Sequence, residues 1–116
     1  MFDQRFFCDR YDLYRPTVAT SESGAQTVRE PDAPTSAGLP CRFFAAPGIW
    51  KVGPSGPDVD CDARMVIPGG QALRPGGKGE QPDCVQVAGR RFVVLACWAA
   101  GPQALYSSVL LAERRP

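Results

Sequence analysis

The sequence predicts an all-β fold, a small antiparallel β-barrel of the SH3 or OB kind, or a sandwich, with long loops. Three observations carry that expectation. Gly and Pro number 12 each in 116 residues, well above their usual joint share of about 12%, and neither suits a helix interior. Hydrophobic residues make up 44% and aromatic residues 9%, enough to build a core and too many for simple disorder. Short segments with period-two alternation recur along the chain and end at Gly or Pro. The length suits one domain, residues 1–116.

Taken in order, Met1 to Cys8 carries Phe2, Phe6 and Phe7. Phe2 and Phe6 lie one helical turn apart, so the segment reads as a short helical turn, as an arm for a neighbouring subunit, or as an aromatic cap on the barrel end. Asp9 to Arg15 reads as the first strand, with Tyr11 and Leu13 on one face and Asp12 and Tyr14 on the other, and Pro16 stops it. Residues 17–40 turn to Ser, Thr, Gly, Glu and Pro and read as a long loop. Cys41 to Ala45 is the second strand, closed by Pro47 and Gly48. Residues 47–60, with Ile49, Trp50 and Val52 set among Gly and Pro, read as another loop. Asp62 to Ile67 is the third strand, with Ala63, Met65 and Ile67 inward. Gln71 to Pro82 is again a loop, anchored by Leu73.

Asp83 to Val87 and Arg90 to Trp98 form the clearest hairpin, turning at Ala88 and Gly89, where Gly89 accepts a positive φ. In its second arm Phe92, Val94, Ala96 and Trp98 share one face, and Val93, Leu95 and Cys97 the other. Both faces are apolar, so one fills the barrel and the other is covered by the N-terminal segment or another subunit. Leu105 to Glu113 is the last strand, with Leu105, Val109 and Leu111 opposite Tyr106, Leu110 and Ala112.

Charge and motifs narrow the function classes. Thirteen Lys and Arg against twelve Asp and Glu leave a net +1, too little for a global field that drives nucleic-acid binding. With no His, catalysis would fall to carboxylates, Lys, Tyr, Ser or Cys. The five cysteines, Cys8, Cys41, Cys61, Cys84 and Cys97, lack CxxC or Cys/His spacing for zinc and read as free, mostly buried thiols in a reducing cytoplasm. Asp58, Asp60 and Asp62 alternate as half a cation site does, but the twelve-residue calcium pattern fails at Ala63 and Gly69. Pro75 to Gly79 lacks the glycine spacing of a phosphate loop. No apolar run reaches membrane-spanning length, and no basic start followed by an apolar run signals secretion. No catalytic site, metal site or cofactor is expected. One nucleic-acid reading remains, an aromatic and basic platform at Arg42, Phe43 and Phe44 or at Arg90, Arg91 and Phe92. Against it stands a core role for Phe43 and Phe92.

Asp12-Leu13-Tyr14-Arg15-Pro16-Thr17, then Pro40-Cys41-Arg42, Ala63-Arg64-Met65-Val66-Ile67-Pro68, Leu73-Arg74-Pro75-Gly76 and Gly89-Arg90-Arg91-Phe92-Val93-Val94 appear in an order and spacing that resemble the head-closure, or stopper, proteins of tailed bacteriophages. The likeness covers residues 11–113. It implies a β-barrel subunit that forms a homo-oligomeric ring in the virion neck after assembly in the host cytoplasm. Portal and adaptor proteins lie above such a ring and tail proteins below, double-stranded DNA passes without sequence-specific contact, and no membrane is involved. A tail-completion protein or an OB- or SH3-like nucleic-acid-binding module is the alternative.

In that family the loop between the second and third strands can enter the channel. Here it corresponds to residues 47–60, giving Ile49, Trp50, Lys51, Val52, Gly53, Gly56 and Asp58 as channel-loop candidates. Folded back on itself, such a loop projects at most about 23 Å. Lys51 is its only base beside Asp58 and Asp60, which suits steric closure better than gripping DNA. Trp50 is expected either where copies meet or where the loop rests on its own barrel. Phe2, Phe6, Phe7, Val93 and Leu95 are the candidate contacts to neighbouring subunits.

Overall fold

The computed structural model describes residues 6–53, 56–76, 81–100 and 105–114. Ten strands form in chain order: β1 (Asp9–Tyr14), β2 (Thr17–Thr20), β3 (Gln26–Arg29), β4 (Ser36–Phe44), β5 (Gly48–Lys51), β6 (Asp58–Cys61), β7 (Ala63–Pro68), β8 (Cys84–Val87), β9 (Arg90–Ala100) and β10 (Tyr106–Glu113). Six of them close an antiparallel barrel in the order β1-β4-β7-β10-β9-β8, while β2-β3 and β5-β6 are separate two-stranded sheets. The all-β barrel expected from the sequence is the fold observed.

Alternation determines what fills the barrel. Tyr11 and Leu13 from β1, Ala63, Met65 and Ile67 from β7, Val85 and Val87 from β8, Phe92 and Val94 from β9, and Val109 and Leu111 from β10 all point inward and are buried. These are the period-two partners that the sequence sets on one face of each strand. Leu73, from the connection before β8, seals the same core.

One alternation breaks. Leu110 pairs with Ala96 but Leu111 pairs with Val94, so Leu95 is an extra residue on β9. Such a bulge exchanges the two faces of the strand beyond it. Ala96 therefore leaves the face of Phe92 and Val94 and joins Leu110 in a second cluster outside the barrel, with Leu95 and Trp98 packed against it, while Cys97 packs on the interior. The expected grouping of Ala96 and Trp98 with Phe92 is corrected accordingly.

Both long loops hold ladders instead. Within residues 17–40, Thr17 to Thr20 pairs with Gln26 to Arg29, and a turn closes them through Ser21 N–H donating to Ala25 O at 2.8 Å. Strand β4 then begins at Ser36, earlier than the expected start at Cys41. Pro40 does not stop it, because Pro40 pairs toward β1 while the ladder to β7 covers only Arg42 to Phe44. A proline is tolerated where no ladder asks for its missing N–H. Within residues 47–60, Gly48 to Lys51 pairs with Asp58 to Cys61. At the β8–β9 turn both Ala88 (φ 54°) and Gly89 (φ 73°) are left-handed, the requirement of a two-residue type I′ turn.

Buried polar groups fix the closing seam between β1 and β8. Asp83 is fully buried. Arg15 Nε donates to its Oδ1 at 3.0 Å and Arg15 Nη2 to its Oδ2 at 3.0 Å, and Arg74 N–H donates to Oδ2 at 2.8 Å. The Asp83 hydrogen bond raises the Arg15 pKa further. Tyr11 donates from its hydroxyl to Gln71 Oε1 at 2.9 Å, and burial raises that phenol's pKa. On the outer surface Glu30 pairs with Arg91 and Arg114, Arg90 pairs with Glu113, and the Arg91 guanidinium lies 4.0 Å from the Tyr14 ring centroid.

Candidate interaction site at the β5–β6 hairpin

The hairpin of β5 and β6 has two chemically distinct faces, because successive residues on a strand point to opposite sides. Trp50 and Val59, cross-strand partners in the ladder, turn toward the barrel together with Val52 and pack on the outer cluster of Cys61, Ala96 and Leu110. Trp50 Nε1 donates to Ala46 O at 3.3 Å, and the Arg64 guanidinium sits 4.9 Å from the Trp50 ring centroid. Of the two positions open to it, Trp50 takes the one against its own barrel. The other face carries Ile49, Lys51, Asp58 and Asp60 into solvent. Ile49 is 72% exposed, more than any other large hydrophobic residue described, and stands directly across from Asp60.

The tip is held by close backbone approach. Val52 N–H donates to Pro57 O at 3.0 Å. A Cβ at Gly56 would fall 1.7 Å from Val52 O, so only glycine fits there, and Gly53 is left-handed at φ 71°.

Between the hairpin and the barrel lies a cavity of about 350 Å³. Phe6, Phe44, Trp50 and Tyr106 supply aromatic walls, Ala46 and Val66 complete the apolar lining, and Arg64 is the one charged group in it. Arg64 Nε is buried with no hydrogen-bond acceptor.

The remaining candidates disperse. Phe7 is buried, and Phe6 meets it edge-on with centroids 5.2 Å apart. Phe2 and most of the expected N-terminal turn lie outside the described residues, as do Gly77, Lys78 and Gly79 of the glycine-rich segment. Leu95 is packed against the cluster beneath the chain's own hairpin, so it is not the bare subunit contact that an apolar outer face implied. Val93 is half-buried. Phe92 is fully buried and Phe43 packs beside it at 5.4 Å, which leaves neither ring free as a stacking platform for bases. Arg42 instead lies over Phe6 and Phe44 at 5.4 and 5.7 Å.

Asp62 does not converge with Asp58 and Asp60, since its Oδ2 accepts the Glu113 N–H at 2.7 Å. All five cysteines are free thiols. Burial pushes the Cys41 pKa up to about 12 and also raises those of Cys61, Cys84 and Cys97, which suits packing and removes thiolate reactivity at neutral pH.

The fold thus defines a closed six-stranded antiparallel barrel with two appended hairpins. No known family model matches the chain, and no curated protein matches it in sequence. Among solved structures it is similar to the phage-like element PBSX protein xkdH from Bacillus subtilis, with a TM-score of 0.56 over 90% of this chain and 92% of that one, at 15% identity. That likeness establishes the shared fold.

Proposed function

We propose that this chain is a structural protein of a tailed-phage virion, and specifically a ring-forming head-closure subunit of the neck. The observation that carries the reading is the near end-to-end fold likeness to a protein of a phage-like element, reached independently of the ordered motifs that resemble stopper proteins. In this reading the subunit docks on the portal–adaptor assembly, retains packaged DNA and offers a surface to the tail. The role is mechanical, with no catalytic step and no cofactor.

The tip of the β5–β6 hairpin is the channel-facing part, and the Trp50–Arg64 stack is the anchor that carries load from tip to barrel. Closure is steric, because Lys51 is the one base beside Asp58 and Asp60. Cryo-microscopy of the assembled particle tests the assignment. Density for this fold in a ring on the portal-to-tail axis is the expected result, and the same chain located in the tail tip or capsid shell would sink it.

A further inference from the structure

The cavity beside Trp50 and the outward face of the same hairpin are complementary. The cavity offers aromatic and aliphatic walls and a guanidinium whose buried Nε has no acceptor. Among the described residues no carboxylate pairs with Arg64, and none of the ion pairs includes Asp58 or Asp60. Ile49, the most exposed large apolar side chain described, stands across from the unpaired carboxylate of Asp60, while Asp58 lies opposite Lys51 on the same face. One surface is thus an apolar hole with a cation that lacks a counter-charge, and the other an apolar knob with the carboxylate of Asp60 beside it.

Their placement decides what fills the hole. Ile49 and Trp50 are consecutive on β5, so the knob points away from the cavity that Trp50 lines, and a chain cannot insert its own knob. Nor can two copies exchange knobs about a two-fold axis, since knob and hole lie on opposite faces of the hairpin. Knob into hole is therefore head-to-tail, the type of contact that closes into rings.

We propose that the cavity is a subunit–subunit socket, in which Ile49 of a second copy enters between Phe44, Trp50 and Tyr106 and the carboxylate of its Asp60 meets Arg64. The proposal deepens the ring-forming reading above by naming the residues on each side of the contact. It gives the Arg64 guanidinium a counter-charge and removes the exposed Ile49 from water in one step.

Sedimentation of the full chain over a concentration series to about 1 mM, where even weak contacts register, tests it. The wild type is expected to self-associate, and Ile49→Arg to weaken that association about tenfold or more, as the loss of a central apolar anchor does. Ile49 and Asp60 are exposed, so their variants keep the fold, and amide exchange across residues 48–61 verifies that the hairpin stays seated in Arg64→Glu, where the contact with the Trp50 ring is lost. Asp60→Arg alone and Arg64→Glu alone are expected to be monomeric, while the double variant D60R/R64E re-associates. Mixing I49R chains, whose hole is intact, with R64E chains, whose knob is intact, is expected to give one-to-one pairs and nothing longer.

A wild type that stays monomeric throughout, or association indifferent to I49R, overturns the socket and leaves the neck assignment standing, since a portal surface can template a ring. Occupation of the cavity by a portal or tail protein in the particle overturns it too. A chain located off the portal-to-tail axis overturns the neck assignment, while the sedimentation results still decide the socket.

Discussion

The β2–β3 and β5–β6 hairpins branch from the same barrel with strands of equal length, yet the barrel holds only one of them. Every strand residue of β2–β3 is exposed, including the cross-strand pair of Val18 and Val28. In β5–β6 the alternate residues Trp50 and Val59 are drawn onto the outer cluster. A two-stranded hairpin is marginal in water unless one face packs on something. One indole with apolar cross-strand company separates an element packed on the barrel from one held by its own ladder and by the Glu30 ion pairs at its base.

The frame beneath both hairpins is the first thing to break. Asp83→Ala removes the partner of the part-exposed Arg15 and the acceptor of the Arg74 N–H, and is expected to cost about 3 kcal/mol in urea or guanidinium unfolding, because several hydrogen bonds to one fully buried carboxylate are lost together. Both hairpins then lose their platform together. Trp50→Ala separates them. It is expected to cost about 2 kcal/mol, less than a fully buried Trp because the side chain is only partly buried. Amide exchange should rise across residues 48–61 and stay unchanged across residues 17–29, and equal rises in both would void the distinction drawn here.

A smaller effect of opposite sign belongs to Ala88, a non-glycine residue held at φ 54°. Ala88→Asn places a residue that tolerates this region in the type I′ turn and is expected to stabilise the chain by up to about 1 kcal/mol, read as a higher midpoint at unchanged m-value. The smallest effect is assigned to Val18→Thr. It keeps β-branching while removing an apolar surface that touches no core, so the change in stability is expected within about 0.5 kcal/mol. A loss comparable to that of Trp50→Ala would show that β2–β3 is anchored after all.

Six barrel strands were legible because their alternation is strong: Ala63, Met65 and Ile67, or Val109 and Leu111, leave little choice of inward face. The bulge at Leu95 was illegible, since an apolar residue added to a strand apolar on both faces changes no pattern. The minor hairpins hid for another reason. Thr17 to Thr20 and Asp58 to Cys61 are polar strands of four residues each, and Thr and Val branching or a single Val59 among acids is a weak signal beside so much Gly and Pro.

Of the candidate site, the chemistry of Ile49, Trp50 and Asp58 stood out in the sequence. The cavity did not, because Phe6, Phe44, Arg64 and Tyr106 come from four separate parts of the chain. The motifs that resemble stopper proteins also changed meaning. The Arg15 side chain and the Arg74 backbone N–H, from two of them, meet at one carboxylate, Asp83, so the arginine at position 15 marks how the barrel is fastened.

The seam carrying that carboxylate has a consequence for the order of folding. Strands β8, β9 and β10 join neighbours along the chain, so their ladders close over short loops. The β1–β8 ladder instead unites segments far apart along the chain, pairing Tyr11 with Val87 and Tyr14 with Cys84. Loop closure over that distance costs entropy before any contact repays it. The ladders between nearer strands, β1–β4 among them, are therefore expected to form before the β1–β8 seam, and Arg15 reaches Asp83 only as the barrel shuts, so the clasp acts on the rate of reopening rather than on the rate of folding.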